Sequence, residues 1–307
     1  MTVSLELRDV QKRYGDFLAV AGISLAVPAG VIFGLLGPNG AGKTTTLRMI
    51  MDILAPDAGE ILLFGRQRRQ DDLRRLGYLP EERGLYRRMT VVDQLLFLAE
   101  IHGKKRREAL PAIKDWLERV ELADWGRRRI EELSKGMQQK VQLIGTVLHQ
   151  PDILILDEPF SGLDPLNQEL FKDLLLDYRR QGRTIVFSTH GMEQAEKLCD
   201  HIGLISAGRL ILAGELREIK RRLGGNSYRL VAEGDLGRLA GMAAIEQVVR
   251  RDGDAGAESG AVKLLLRPEA SGAEVLRQIV QFLDVREFRS EEPDLEEIFI
   301  KAVRDAA

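Results

Sequence analysis

Gly37-Pro38-Asn39-Gly40-Ala41-Gly42-Lys43-Thr44 follows the apolar run Val31 to Leu36 and leads into Thr45-Thr46-Leu47-Arg48-Met49-Ile50. The stretch has the form G-x-x-x-x-G-K-[ST], in the setting that form requires, a strand before it and a helix after. Glycines at Gly37, Gly40 and Gly42 let successive backbone N–H groups turn inward at the positive end of the following helix, which makes an anion nest. Lys43 is expected to reach the β- and γ-phosphates and Thr44 to hold Mg²⁺, so the loop specifies a nucleoside triphosphate rather than a dinucleotide. An incidental glycine-rich turn is the weaker reading, because every fixed position is filled.

The chain has 307 residues, room for one large domain or two, and its 44% hydrophobic content suffices for a real core. Charged residues make up 30% yet nearly cancel, to a net −2, so no global field invites nucleic acid or acidic lipid. The single cysteine, Cys199, excludes an internal disulfide, suits a reducing compartment and reads as a small buried residue. Met1 to Val10 has no basic segment followed by an apolar one, so no signal peptide is expected. Phe17 to Gly42 is uncharged and long enough to suggest a membrane span, but Pro28, Gly30, Gly34, Gly37 and Pro38 break it into short strands and turns.

Leu5 to Val10 and Leu18 to Val27 alternate as antiparallel strands do, and Tyr14 lies between them, placed either to stack on a purine or for ordinary packing. Glu60 to Gly65 reads as a strand, followed by a charged helix-like run to Arg75 and then by Leu76 to Tyr86, which contains Glu81. Thr90 is a fitting N-cap for an amphipathic helix from Val91 to His102, and a second helix is expected from about Arg107 to Val120. The basic clusters Lys104 to Arg107 and Arg127 to Arg129 lack interleaved aromatics and read as solvated faces rather than a nucleic-acid patch.

Ser134 is a plausible N-cap for a helix with apolar positions at Val141, Leu143, Ile144, Val147 and Leu148. Ile153 to Leu156 has the continuous apolar character of a buried parallel strand, and Asp157-Glu158 stands at its carboxyl end, where open α/β sheets bind ligands. Asp157 would meet Mg²⁺ and Glu158 would act as general base toward an attacking water; the bland alternative is an acidic turn. Thr184 to His190 is a further buried strand ending in one of only four histidines, a position more often structural than catalytic.

Taken in order, Tyr14, Gly37 to Thr44, Glu81, Ser134 to Met137, Asp157-Glu158, Ser161 to Asp164 and His190 resemble the ATP-binding cassette (ABC) family, over roughly residues 3 to 218. The resemblance implies an α/β P-loop NTPase cassette with a mixed sheet core, an antiparallel β subdomain and a helical subdomain at about 85–150. It makes Tyr14 the adenine-stacking aromatic. The phosphate-binding set becomes Gly37, Pro38, Asn39, Gly40, Ala41, Gly42, Lys43 and Thr44, joined by Thr45. Thr44, Asp157 and Glu81, at the Q-loop position, become the Mg²⁺ set, and Glu158, His190 and Glu81 the catalytic group. Ser134, Lys135 and Gly136 of the signature and Asp164 of the D-loop would bind the nucleotide of a second copy.

Two positions depart from the family pattern. The signature reads Leu133-Ser134-Lys135-Gly136-Met137 where the family commonly has Leu-Ser-Gly-Gly-Gln, which leaves Ser134, the Gly136 backbone and the helix terminus suited to a γ-phosphate. Glu81 replaces a glutamine; its carboxylate can ligate Mg²⁺ but cannot donate an amide hydrogen bond.

The cassette is expected over 1–220 and a small α+β domain of ferredoxin-like character over 227–307. In the latter, strands are read at Tyr228 to Glu233, Val262 to Arg267 and Val285 to Arg289, helices at Ala273 to Leu283 and Asp294 to Val303, and a flexible loop at Asp252 to Gly260. This segment resembles the C-terminal extension of bacterial ABC-2-type ATPases, the sodium-extrusion group among them. The resemblance thus implies an ATP-hydrolysing subunit of an ABC transporter, of an ABC-2-type exporter. It would pair head to tail with a second cassette around ATP and Mg²⁺ and drive separate membrane permease subunits from the cytoplasmic face of the membrane. The alternative is a soluble ABC ATPase acting on ribosomes or DNA. Lys43 and Ser134 are only 91 positions apart, which leaves no room for a long coiled coil, and one cassette is present rather than two, so no nucleic-acid partner is expected.

Overall fold

The structure is a computed structural model describing residues 2–82, 84–223, 226–250 and 259–305. The chain divides into two compact units, between Leu216 and Arg217.

The first unit begins with two long strands, β1 (Val3–Tyr14) and β2 (Phe17–Pro28), then β3 (Ile32–Leu36) and helix α1 (Lys43–Ile50). Strands β4 (Ala58–Leu63) and β5 (Arg66–Gln67) follow, then a short 3₁₀ turn at Gln70–Arg75 and β6 (Leu76–Leu79). Three helices come next, α2 (Val91–Ile101), α3 (Arg106–Arg119) and α4 (Lys135–Val147). The unit closes with β7 (Ile153–Asp157), α5 (Pro165–Arg180), β8 (Thr184–Thr189), α6 (Met192–Leu198), β9 (His201–Ser206) and β10 (Arg209–Glu215).

Two sheets result. An antiparallel sheet runs β2-β1-β4-β5, and a six-stranded sheet runs β10-β9-β3-β8-β7-β6. In the second, β3, β8, β7, β6 and β9 are mutually parallel where they pair, and only β10 runs the other way. Every residue of β3, β7 and β8 is buried, which is why these strands read as unbroken apolar runs instead of alternating. Their side chains merge with those of β1, β2 and α1 in one core that includes Leu5, Phe33, Leu47, Ile155 and Ile205.

The N-cap expectations hold in detail. Thr90 Oγ1 accepts from the Asp93 N–H at 3.1 Å, and Ser134 Oγ accepts from the Met137 N–H at 3.3 Å. Two readings need correction. Tyr14 does not lie between strands but is the last residue of β1, paired with Phe17 across a two-residue turn at Gly15-Asp16, because both strands extend beyond their alternating stretches. The charged run before Arg75 is a 3₁₀ turn and no α-helix, since the Arg66 guanidinium clamps Asp72 at 2.6 and 2.8 Å and fixes a tight turn.

The second unit is entered through helix α7 (Leu216–Leu223). It comprises β11 (Asn226–Glu233), a 3₁₀ turn at Leu236–Gly241, β12 (Ile245–Arg250), β13 (Ser259–Leu266), α8 (Gly272–Ile279), β14 (Asp284–Ser290) and α9 (Leu295–Asp305). The four strands form one antiparallel sheet ordered β12-β13-β11-β14. This is the split arrangement of a ferredoxin-like unit, with the first crossover reduced to the 3₁₀ turn. Leu230, Leu264, Val275 and Ile279 form its own core. The expected helix from Ala273 ends at Ile279, four residues early, and the expected loop Asp252 to Gly260 lies outside the described residues except for its last two, which begin β13.

At the end of α4, the buried His149 ring stacks on His102 with centroids 3.9 Å apart and its Nε2 bonds the Leu76 carbonyl at 3.0 Å. Burial, with the neighbouring His102 and Lys104, pushes its pKa down to about 4. The folded chain therefore holds this imidazole neutral, while the unfolded chain protonates it below its ordinary value of 6.5. Stability from this group is fully present above pH 6.5 and falls as pH drops toward 4. Urea midpoints of wild type and His149→Gln between pH 7 and 4 should show a steeper acid decline in wild type, by up to roughly 3 kcal/mol.

Candidate active site

The carboxyl ends of four adjacent parallel strands carry the chemistry. β3 leads into the glycine-rich loop, β8 ends beside His190, β7 ends in Asp157 with Glu158 following, and β6 ends just before Glu81. Parallel pairing brings all four termini to one edge, the place where open α/β sheets gather ligands.

The loop's shape depends on two glycines at close approaches. Gly37 has φ 152° and a Cβ there would stand 2.1 Å from the Ile205 carbonyl oxygen; Gly42, at φ 105°, would meet the Ala19 oxygen at 2.5 Å. Both contacts are with backbone, so no side chain can be admitted. The Lys43 ammonium is buried, donates to the Gly37 and Pro38 carbonyls at 2.7 and 3.1 Å, and faces Glu158 Oε1 at 3.6 Å.

Asp157 is 1% exposed. Its Oδ1 accepts from Thr44 Oγ1 at 3.1 Å and from Ser188 Oγ at 2.5 Å, whereas its buried Oδ2 has no partner. Ser188 is the register partner of Asp157 across β7 and β8, and its hydroxyl also accepts the Glu158 N–H at 3.0 Å. A buried carboxylate oxygen left bare beside a threonine hydroxyl fits a hard divalent cation, which takes oxygen ligands from one or two carboxylates and from substrate phosphates. Among the described residues no cluster of three or more His, Cys, Asp or Glu forms a protein-only metal cage.

Glu158 sits at φ 48°, a left-handed conformation unusual for a glutamate, which turns its carboxylate back over the loop. There its Oε1 accepts from His190 Nδ1 at 3.1 Å. A cavity of about 540 Å³ opens above, lined by Tyr14, Phe17, Ala19, Asn39 through Thr45, Glu81, Glu158, Ser161 and His190. Tyr14, Asn39, Gly40, Ala41, Gly42, Lys43, Thr44, Thr45, Glu81, Glu158 and His190 thus meet in one place, with Gly37, Pro38 and Asp157 directly behind them.

Ser134, Lys135, Gly136 and Asp164 do not line that cavity. Ser134 and Lys135 are exposed at the start of α4, and Gly136 lies against the N-terminal turn of α5, where a Cβ would come within 3.3 Å of Asn167 Nδ2. Asp164 caps α5, accepting from the Asn167 N–H at 3.0 Å; that bond and the Asn167 side chain hold its carboxyl below the ordinary range.

Two residues near the site, Phe17 and Ser188, were not singled out from sequence. Phe17 faces solvent across the hairpin from Tyr14, at 64% exposure, and an aromatic directly after the Gly15-Asp16 turn was the available signal. Ser161, the first residue of the D-loop stretch Ser161 to Asp164, also lines the cavity. Ser188 is legible only as a hydroxyl at the end of an apolar strand, because its partner Asp157 is 31 positions away and is supplied by register.

A glycine-lined phosphate nest with a buried lysine, a hydroxyl-held aspartate and a glutamate at the next strand end defines a P-loop nucleoside triphosphatase. Comparison with known proteins gives the family. Residues 20–161 match the ABC transporter model, and residues 214–303 match the C-terminal domain of DrrA1-3-like ATP-binding proteins. The uncharacterized ABC transporter ATP-binding protein YhaQ of Bacillus subtilis is 42% identical over 97% of this chain and 98% of its own. The Nod factor export ATP-binding protein I of Burkholderia lata is 40% identical over 68% of this chain and 70% of its own. Among solved structures, an ATP-binding subunit of an ABC transporter aligns with TM-score 0.67 at 30% identity, covering 71% of this chain and 92% of that one. The chain belongs to the ATP-binding proteins of ABC transporters and is an ATPase. Membership implies membrane permease partners and pairing of cassettes.

Ser188 is fully buried and serves two groups at once. Ser188→Ala should leave the Glu158 N–H unpaired and Asp157 short of a donor, lowering stability by about 1–3 kcal/mol in urea titration.

Proposed function

We propose that this chain is the motor subunit of an ABC-2-type exporter, hydrolysing ATP between two cassettes and passing the resulting movement to separate permease subunits. The observation that carries this reading is the division of the nucleotide-binding groups. The phosphate loop, Glu81, Glu158 and His190 share one cavity, while Ser134 to Gly136 and Asp164 lie outside it on an exposed surface. Leu166, next to Asp164, is 85% exposed. A second copy packed head to tail would cover that surface and bring its Ser134 and the α4 N-terminus to the γ-phosphate held by the first.

Backbone N–H groups of Gly40 to Thr44 and the Lys43 ammonium hold the phosphates, and Tyr14 with Phe17 offers an aromatic platform to adenine. Thr44, Asp157 and Glu81 would hold Mg²⁺, which neutralises phosphate charge when bound. Glu158 takes a proton from the attacking water as the water oxygen bonds the γ-phosphorus and the bond to the ADP oxygen breaks. His190, bonded to Glu158, keeps that carboxylate aimed. Lys43 must exchange its carbonyl partners and its proximity to Glu158 for phosphate oxygens, which frees the glutamate for the water.

The cassette is assigned to 1–220 and the accessory α+β domain to 227–307. Export is supported by relatives such as the Nod factor export protein and the linearmycin resistance ATP-binding protein of Bacillus subtilis, 34% identical over 73% of this chain. No described helix is long and apolar enough to cross a membrane, so attachment to the cytoplasmic face would run through the permease. These transporter relatives disfavour the ribosome or DNA reading.

Glu158→Gln should bind ATP normally, hydrolyse it on the order of 10²–10⁴ times more slowly, and accumulate as an ATP-dependent dimer on size-exclusion chromatography. Lys43→Ala should lose ATP binding, and unaltered affinity would contradict the phosphate-loop role. Purification from solubilised membranes should recover an integral membrane protein; ribosomal proteins in its place would overturn the transporter reading.

A further inference from the structure

Helix α4 is buried along most of its length, yet three polar residues face the sheet from one side of it, Gln139, Gln142 and Thr146. Their spacing of three and four places them on one stripe. All three donate to main-chain carbonyls at or just beyond the ends of β6 and β7. Gln139 Nε2 reaches the Pro159 oxygen at 2.7 Å, and Thr146 Oγ1 shares its proton between the Gln142 oxygen one turn back at 2.9 Å and the Tyr78 oxygen of β6 at 3.2 Å. Gln142 does something more specific. Its Nε2 donates to the Pro80 oxygen at 3.2 Å and to the Glu82 oxygen at 3.3 Å, the carbonyls on either side of Glu81.

Glu81 is thus straddled from behind by one buried amide while its own residue lines the nucleotide cavity. The far end of the same loop is held in like manner, because the Tyr86 N–H donates to Oε1 of the fully buried Gln94 on α2 at 2.8 Å. The segment between β6 and α2 is therefore tied to helices α4 and α2 by two glutamines. A methionine would fill the Gln142 site with similar volume. What the amide adds is direction, two donors that fix the backbone around one carboxylate.

We propose that Gln142 is the positioning residue for Glu81: it aims the Glu81 carboxylate at the cation site of Thr44 and Asp157 and makes that aim follow α4. Since Ser134 caps the same helix, a contact made there by a second cassette reaches Glu81 through a single rigid element. The inference rests on the reading of Glu81 as a metal ligand and adds the group that places it.

The test uses the full chain with Gln142→Met, Glu81→Ala and the double variant. Mn²⁺ is titrated into each complex with a non-hydrolysable ATP analogue, free Mn²⁺ being read by electron paramagnetic resonance, and kcat and KM for ATP are measured alongside. Gln142→Met should weaken Mn²⁺ binding roughly ten-fold, the usual cost of losing a group that orients a metal ligand. Its kcat should fall while KM for ATP holds, and in the Glu81→Ala background it should add nothing. Penalties that multiply, or Mn²⁺ binding unchanged by Gln142→Met, would overturn the proposal. Glu81→Ala with wild-type Mn²⁺ affinity would instead remove the metal role of Glu81 itself, and a Gln142→Met effect persisting there would show it acting through another group. Should Gln142→Met fail to fold, Gln142→Asn keeps the amide but withdraws it from both carbonyls, and the same non-additivity with Glu81→Ala is required.

Discussion

A carboxylate that is 1% exposed has to find hydrogen-bond donors and yet stay reachable, and the cassette is arranged around that requirement at Asp157. Two hydroxyls, Thr44 and Ser188, donate to one oxygen and leave the other bare. Each donor arrives by a different route. Thr44 depends on the glycine loop closing after β3, and Ser188 on the register of β8 against β7. A one-residue slip in that pairing would turn Ser188 to the opposite face and bring Phe187 or Thr189 opposite Asp157 in its place. The parallel sheet and the loop are thereby constrained together by a single side chain.

The same arrangement gives the cavity a particular electrostatic balance. Asp157, Glu158 and Glu81 stand against Lys43, whose ammonium rests on carbonyls and 3.6 Å from Glu158. A polyphosphate entering among three carboxylates meets repulsion that one ammonium and a nest of N–H groups do not fully offset, a balance that a divalent cation would complete. Glu81 sharpens this. A carboxylate where the family commonly has an amide adds a negative charge and gives up a donor. The main chain around it is bonded by two other amides, Gln142 and Gln94.

How much of this was legible in the sequence follows from the range of each interaction. The phosphate loop, the Asp157-Glu158 pair and the caps Thr90 and Ser134 are local, and contiguous residues declare them. Tyr14 and Glu81 gained meaning only from motif order, because neither has a local signature. Ser188 and Gln142 remained hidden because their partners lie on distant elements: Gln142 meets carbonyls 60 and 62 positions away. Likewise the β9 and β10 hairpin and β12 carry no decisive turn or periodic pattern and acquire their state from neighbours in the sheet. A buried glutamine in a helix is a useful signal all the same, since an amide inside a core must have found partners.

The signature segment illustrates a different limit. Its residues are legible as the cap of a helix, yet within the chain they lie apart from the cavity, with Gly136 beside Leu163 and Asn167. The helix they cap nevertheless contacts the end of β7 through Gln139 and the Glu81 loop through Gln142. α4 therefore has its free end on the exposed surface and its buried stripe on two of the strand ends that form the site. Hydrogen bonds to fixed carbonyls do not stretch far before they weaken. A displacement imposed at Ser134 would then be passed through these bonds to the strand end at Pro159 and to the carbonyls on either side of Glu81.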